Sequence, residues 1–235
     1  MKTFKHSGDL GDIIFSLPTI RALGGGLLYL DPCGGEKDPL VYPPHKNKTN
    51  LNEVTISSLQ HLLLEQDYIE DVRCWRGEYV DYNLDEFRKH IKYNNLAHSH
   101  LAAFGLDKEL ANDKWIELAW KVYPKKKVVV SRSLKVHGNH SFWEEVFYRY
   151  RNDSVFVGTE FECEVFNKTF GFNVPYQHTE TIMDLAKVIN GAEVFMGNQS
   201  LPHSIAEGLK KSPMYHEVYR VYPAVVFERE GLTNV

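Results

Sequence analysis

The chain has 235 residues, enough for one large domain or for two of roughly 100 to 120 residues that each bury a core. With 43% hydrophobic residues, 25% charged residues and a net charge of −4, it has the composition of an ordinary globular protein, which argues against a general nucleic-acid coat or a polybasic membrane binder. Cys33, Cys74 and Cys163 are scattered without CxxC spacing, so neither a disulfide framework nor a zinc ribbon is expected, and a reducing, cytoplasmic setting is. No run approaches the roughly 18 apolar residues that span a bilayer, and Asp9 and Asp12 interrupt any secretory leader near the start.

A short strand over Lys2–His6 leads into the turn "SGDLGD" and a helix from about Asp12 to Leu23, with apolar positions at Ile13, Ile14, Leu17, Ile20 and Leu23. The next run, "GGGLLYLDP", is unbroken and bounded by glycines and Pro32, which suits a strand covered on both faces. Cys33 to Asn52 is rich in Pro, Gly, Lys and Asn and reads as a long surface loop. "TISSLQHLLLEQ" is then a helix, "YIEDVRCW" a strand, and "LDEFRKHIKY" and "LAHSHLAAFGL" two more helices. The Pro and Lys segment "VYPKKK" is a linker, which divides the chain into units 1–122 and 123–235. Beyond it "VVVS" starts a fresh alternation: helix "FWEEVFYRY", strand "SVFVG", helices "EFECEVFNKTF" and "TIMDLAKVINGA", strand "EVFMG" and helix "LPHSIAEGLKK". Strands separated by helical patterns imply parallel sheets built from βαβ units, so the predicted fold is α/β, two doubly wound Rossmann-like domains facing a cleft.

Three constellations carry candidate chemistry. The opening turn has Asp31 about 20 residues downstream, as in a dinucleotide site, but its glycines read G-D-L-G-D and its two acids would repel a pyrophosphate. An acid at a helix start either caps the helix or serves as a general base; with two, Asp9 and Asp12, one can cap while the other is free to work. The second constellation is a stretch between Glu117 and Glu144 with no acid and with Lys121, Lys125, Lys126, Lys127, Arg132 and Lys135. Ligands of open α/β sheets bind beyond strand carboxyl ends, so Ser131, Arg132 and Lys135 are candidates to meet a diphosphate, whereas Lys125 to Lys127 read first as a solvated linker. In the third, "VFMGNQSLPHSIAEGLK", Gly197 allows a tight exit and Asn198, Gln199 and Ser200 offer uncharged donors ahead of a helix with Pro202 in its first turn. Gly158 and Thr159 in "SVFVGTEFE" repeat that design. The histidine pairs His98/His100 and His137/His140 lack the spacing of a familiar zinc site, and no metal is expected.

Taken together, "GDLGDIIFSLPTIRAL" and "INGAEVFMGNQSLPHSIAEGLK" resemble the heptosyltransferase-type GT-B glycosyltransferases, glycosyltransferase family 9. With "LLLEQDYIEDV", "FVGTEFECEVF" and "YPAVVFEREG", the resemblance extends to a short branch found in bacteria and their phages. It implies transfer of a sugar from a nucleotide-diphosphate donor to a hydroxyl acceptor, with the family's base falling on Asp12. The donor would sit at Ser131, Arg132, Lys135, Gly158, Thr159 and Gly197 to Ser200, with Glu207 on its ribose and no obligatory metal. The family's D-T-G-P-x-H sequence is replaced here by Gln199-Ser200-Leu201-Pro202-His203-Ser204, so heptose and ADP do not follow from it. The acceptor class implied is a glycan. The alternatives are a phage-type DNA glycosyltransferase acting on a hydroxylated base, with Lys121–Lys135 and Lys46–Lys48 on phosphates, and a catalytically silent sugar-nucleotide binder.

Overall fold

The computed structural model describes residues 1–32, 51–91, 95–135, 138, 140–220 and 223–235; most of the expected loop at Cys33–Asn52, with Lys46–Lys48, and also His137 lie outside them. The chain divides into two compact units, Met1–Trp115 and Ile116–Val235. Among the described residues each is built on one parallel sheet flanked by helices.

The first unit runs β1 (Lys2–His6), α1 (Leu10–Ala22), β2 (Gly26–Leu30), α2 (Glu53–Leu64), β3 (Ile69–Cys74), β4 (Tyr82–Asn83) and α3 (Leu96–Ala103), with strand order β3-β2-β1-β4. All five residues of β2 are buried, as an unbroken apolar run requires of a strand covered on both faces. Every residue of α1 from Ile13 to Ile20 is buried, Ser16 and Thr19 included, so this helix is enclosed rather than merely amphipathic. Ser16 meets its own need by donating to the Ile13 carbonyl at 2.7 Å. Asn52 starts α2 by accepting from the N–H groups of Val54 and Thr55, both at 3.0 Å. The segment Leu84–His90, expected to be helical, is a 3₁₀ helix. Its two buried residues, Leu84 and Phe87, are three apart, and the three-residue turn stacks them on one face.

The second unit runs β5 (Val128–Ser131), α4 (Ser141–Glu145), β6 (Ser154–Phe156), α5 (Glu160–Phe170), α6 (Ile182–Gly191), β7 (Val194–Asn198), α7 (Leu201–Gly208), β8 (Met214–Glu217) and β9 (Leu232–Asn234), ordered β6-β5-β7-β8-β9. The residues before β5 pack with it: the Ile116 N–H donates to Gly208 O at 3.0 Å and that of Val122 to Lys187 O at 3.1 Å. The helix expected over "FWEEVFYRY" stops at Glu145 and breaks into 3₁₀ turns. Phe142, Trp143 and Phe147 all join the buried cluster that contains Phe166. Trp143 meets Phe166 edge to face, with ring centroids 5.0 Å apart and an interplanar angle of 83°; such a contact adds about 1 kcal/mol to the gain from burial. Strands β8 and β9 were not anticipated, because three or four residues are too few to show a period. β8 forms by adding to the edge of β7 and β9 by adding to that of β8, with Met214 N donating to Gly231 O at 2.8 Å and Val235 N to His216 O at 2.9 Å.

The strand orders locate the sites. In the first sheet β1 has β2 on one side and β4 on the other, and in the second β5 lies between β6 and β7. These are the points where the order reverses, and open α/β sheets bind ligands at the carboxyl ends of strands at such points.

Candidate functional site

The turn leaving β1 is closed by its own side chains. Three successive backbone N–H groups each find a side-chain acceptor: Ser7 donates to Asp85 Oδ1 at 3.0 Å, Gly8 to His6 Nδ1 at 2.8 Å, and Asp9 to Asp12 Oδ2 at 3.1 Å. Asp9 is the N-cap of α1 and Asp12 the third residue of the helix, so the last contact is the returning half of a capping box. The division expected between a capping Asp9 and an uncommitted Asp12 is therefore corrected: both acids take part in the cap. Asp12 remains half-exposed at the strand's carboxyl end. Gly8 allows the approach, since a Cβ there would lie 2.5 Å from His6 Cε1 and 2.8 Å from Asp12 Oδ2.

Asp85 anchors this turn from below. Besides the Ser7 N–H it accepts from Ser7 Oγ at 2.8 Å, Lys5 Nζ at 3.2 Å and Arg88 Nη1 at 2.6 Å. Burial pulls its pKa up, but the neighbouring charges and the hydrogen bonds from Ser7 win, and it stays below the usual carboxylate range. Asp31, weighed above as a ribose acid, is buried and lies 3.1 Å from Lys5 Nζ. Behind the turn, His6 and His100 are fully buried with their Nε2 atoms 3.0 Å apart. Burial lowers the pKa of His6 to about 4 and that of His100 well below its usual value.

The corresponding place in the second unit is assembled differently. Ser131 ends β5, in register with Gly197 of β7. Asn198, buried at the end of β7, clamps the chain leaving β5 as a strand partner would: its Oδ1 accepts from Ser133 N and its Nδ2 donates to Ser133 O, both at 2.8 Å. Ser200 is the N-cap residue of α7, yet its Oγ donates back to Asn198 O at 2.9 Å and its side chain does not accept from the first turn of the helix. α1 has a capping box and α7 has none: the side chain of its N-cap accepts no N–H of the first turn. Gln199 is half-exposed beside it and Lys135 is exposed beyond β5. Gly158 has φ +129°, a conformation that favours glycine, and a Cβ there would lie 3.8 Å from Ser131 Oγ. Thr159 caps α5 in a reciprocal box with Glu162, its Oγ1 accepting from Glu162 N at 3.2 Å.

Two expected donor contacts are corrected. Arg132 is only 3% exposed, and its Nε and Nη2 donate to the two carboxylate oxygens of Glu217 at 2.8 and 3.0 Å. The same carboxylate accepts from Gly138 N and Trp143 Nε1, each at 2.8 Å, so the guanidinium holds β8 to the chain after β5 instead of facing a ligand. Glu207 is fully buried, with its oxygens taken by Arg229 Nη2 at 2.9 Å and Lys210 Nζ at 2.6 Å, which leaves it tying the C-terminal segment to α7 instead of reaching a ribose. Sequence reasoning missed Asp85, His6 and Glu217 and weighed His100 only as a metal ligand. Of the three missed, only His6, next to the turn in sequence, offered a local signal.

Among the described residues no cluster of three or more His, Cys, Asp or Glu could hold a metal ion, and no helix is long and apolar enough to cross a membrane.

No protein-family model matches the sequence, and no curated protein matches it either. Solved structures do match in fold. The E. coli heptosyltransferase WaaC with ADP aligns with TM-score 0.59 at 9% identity, over 100% of this chain and 92% of that one. A glycosyl transferase family 9 protein from Veillonella parvula DSM 2008 gives 0.55 at 10% identity, over 99% and 86%. The iron-containing dodecameric glycosyltransferase TibC from enterotoxigenic E. coli gives 0.55 at 12%, over 98% of this chain and 61% of that one. At such identities the likeness is one of fold, and the fold is that of the GT-B glycosyltransferases: two α/β units, each on a parallel sheet.

Proposed function

We propose that this chain is a glycosyltransferase that moves a sugar from a nucleotide-diphosphate donor to a hydroxyl acceptor, with a glycan as the acceptor class. The observation that carries the reading is the opposite chemistry of two strand-to-helix turns, one in each unit. After β1 the backbone N–H groups are spent and a carboxylate remains, whereas after β7 the first turn of α7 has no side-chain cap and its flanking residues are uncharged. A diphosphate is favoured at the second turn and disfavoured at the first.

In this reading the second unit holds the donor, with Gly197 to Ser200 and Lys135 around the diphosphate and Ser131, Gly158 and Thr159 at its edge. The first unit serves the acceptor. The acceptor hydroxyl oxygen attacks the anomeric carbon, the bond from that carbon to the diphosphate oxygen breaks, and its electron pair leaves with the diphosphate. Asp12 takes the hydroxyl proton. The helix terminus and Lys135 stabilise the charge growing on the leaving group, a task that needs no obligatory metal. The fold shared with a heptosyltransferase solved with ADP supports a nucleotide donor; the replacement of the family's D-T-G-P-x-H residues leaves the sugar open. A DNA acceptor is the lesser reading, because Arg132 is buried on Glu217, which takes one of the basic residues out of reach of phosphates, and the net charge is −4.

A thermal-shift screen across nucleotide-sugars, ADP-heptose included, tests donor binding, since a ligand of the native state raises the Tm. With the donor so found, Asp12→Asn is expected to keep the shift and to lower turnover about 10²- to 10⁴-fold. An unshifted Tm with every donor would count against the donor site; a binding wild type with no turnover would mark a silent binder; loss of the shift in Asp12→Asn would count against the base.

A further inference from the structure

The hydrogen bonds behind the opening turn define its proton positions. Gly8 N–H donates to His6 Nδ1 at 2.8 Å, so that nitrogen carries no proton and the His6 proton sits on Nε2. His100 Nδ1 lies 2.7 Å from the Leu96 carbonyl, which can only accept, so the His100 proton is on Nδ1 and its Nε2 is an acceptor. The 3.0 Å contact between the two rings is then one unstrained bond, His6 Nε2–H to His100 Nε2. The chain Leu96 O, His100, His6, Gly8 N–H is consistent from end to end only when both rings are neutral.

We propose that His6 and His100 are a positioning pair for Asp12, in which His100 selects the His6 tautomer and His6 thereby clasps the turn against which the Asp12 carboxylate rests. The inference rests on the reading of Asp12 as the base. The His6 ring and the Asp12 side chain border the same space beside Gly8: a Cβ added to this glycine would lie 2.5 Å from His6 Cε1 and 2.8 Å from both Asp12 Cβ and Asp12 Oδ2. A tilt of the His6 ring pulls on the Gly8 N–H, and the next N–H along, that of Asp9, is the one the Asp12 carboxylate holds. Burial lowers the pKa of both rings, so both are neutral at pH 7 and the hydrogen bonds choose their tautomers. Phe87 stacks on His100 with ring centroids 4.1 Å apart and on His6 at 5.6 Å, which leaves the two rings little room to rotate.

The test uses the full chain and reads the turn by NMR. Ring ¹⁵N shifts at neutral pH should report His6 protonated on Nε2 and His100 on Nδ1. His100→Leu removes the acceptor and should speed Gly8 amide exchange about tenfold, the loss of roughly one hydrogen bond, and move the Asp12 carboxyl resonance. His100→Gln, whose side-chain oxygen can stand in for Nε2, should return both signals toward wild type, while α2 amides stay unchanged in each variant. In turnover of the donor found by the screen, His100→Leu should lower kcat about 10- to 100-fold with KM for the donor unchanged. A wild-type His6 protonated on Nδ1, or a His100→Leu protein with wild-type Gly8 and Asp12 signals, overturns the proposal. Should His100→Leu not fold, the wild-type ring shifts and the His100→Gln signals decide. Undiminished turnover in Asp12→Asn would instead sink the base reading, and the NMR result would still settle whether the pair positions the turn.

Discussion

The turns after β1 and after β7 each leave an interior strand of their sheet and lead into a helix, yet they handle charge in opposite ways. In the first, two carboxylates stay at the helix start and the backbone N–H groups are spent on Asp85, His6 and Asp12. In the second, the nearby acids are withdrawn into the core and matched, Glu217 by Arg132 and Glu207 by Arg229 and Lys210, while the helix start carries no side-chain cap. Whether such a turn favours a cation, a proton or a phosphate is set less by which charged residues lie near it in sequence than by which of them are neutralised out of its way.

The largest expected effect comes from undoing that neutralisation. Glu217→Gln leaves a buried guanidinium without its counter-charge and should cost about 3 to 5 kcal/mol of unfolding free energy, read by urea denaturation; a loss under 1 kcal/mol would mean that Arg132 reaches solvent and is available to a ligand after all.

Acid should act on both units. His6 and His216 have folded-state pKa values of about 4 against an ordinary 6.5, because burial disfavours their charged forms. Between these values the unfolded chain binds protons that the folded chain refuses. Stability is therefore flat above pH 6.5 and falls as pH drops toward 4, by roughly 3 kcal/mol for each of the two rings. The two buried pairs differ in their bonding. His6 and His100 form a closed chain, whereas among the described residues both ring nitrogens of His203 and Nε2 of His216 have no hydrogen-bond partner. Urea midpoints at pH 7 and 5, followed by a reporter in each unit, measure the loss, and a pH-independent midpoint would show that these rings are solvated.

A smaller and sharper change imports the first turn's chemistry into the second. Ser200→Asp should cap α7 and raise stability by about 0.5 to 1 kcal/mol, yet weaken donor binding tenfold or more by placing a carboxylate where the diphosphate belongs. Calorimetric titration against wild type reads it, and unchanged affinity would put the diphosphate elsewhere.

Much of the architecture was legible before the structure. Long apolar runs such as "GLLYL" and "VVVS", and the helical pattern after each turn, announce β2, β5, α1 and α7, since burial on a given face leaves a local period in sequence. The glycines and small polar residues at 197–200 likewise mark a strand exit. The two-residue β4 and the short β8 and β9 leave no period; their strands exist because a neighbouring edge offers hydrogen bonds.

Site partners follow the same division. The sequence by itself determined which residue types stand at the strand ends: acids at Asp9 and Asp12, a basic run through Arg132 and Lys135, and uncharged donors at Asn198 to Ser200. Only the tertiary structure decided what those charges meet. Arg132 is claimed by Glu217, 85 residues further along, and Ser7 by Asp85, 78 residues away. Glu207 is claimed by Arg229, 22 residues on. Periodicity is a local record of burial, whereas the partner of a charge depends on which strands become neighbours, and that is fixed by the sheet as a whole.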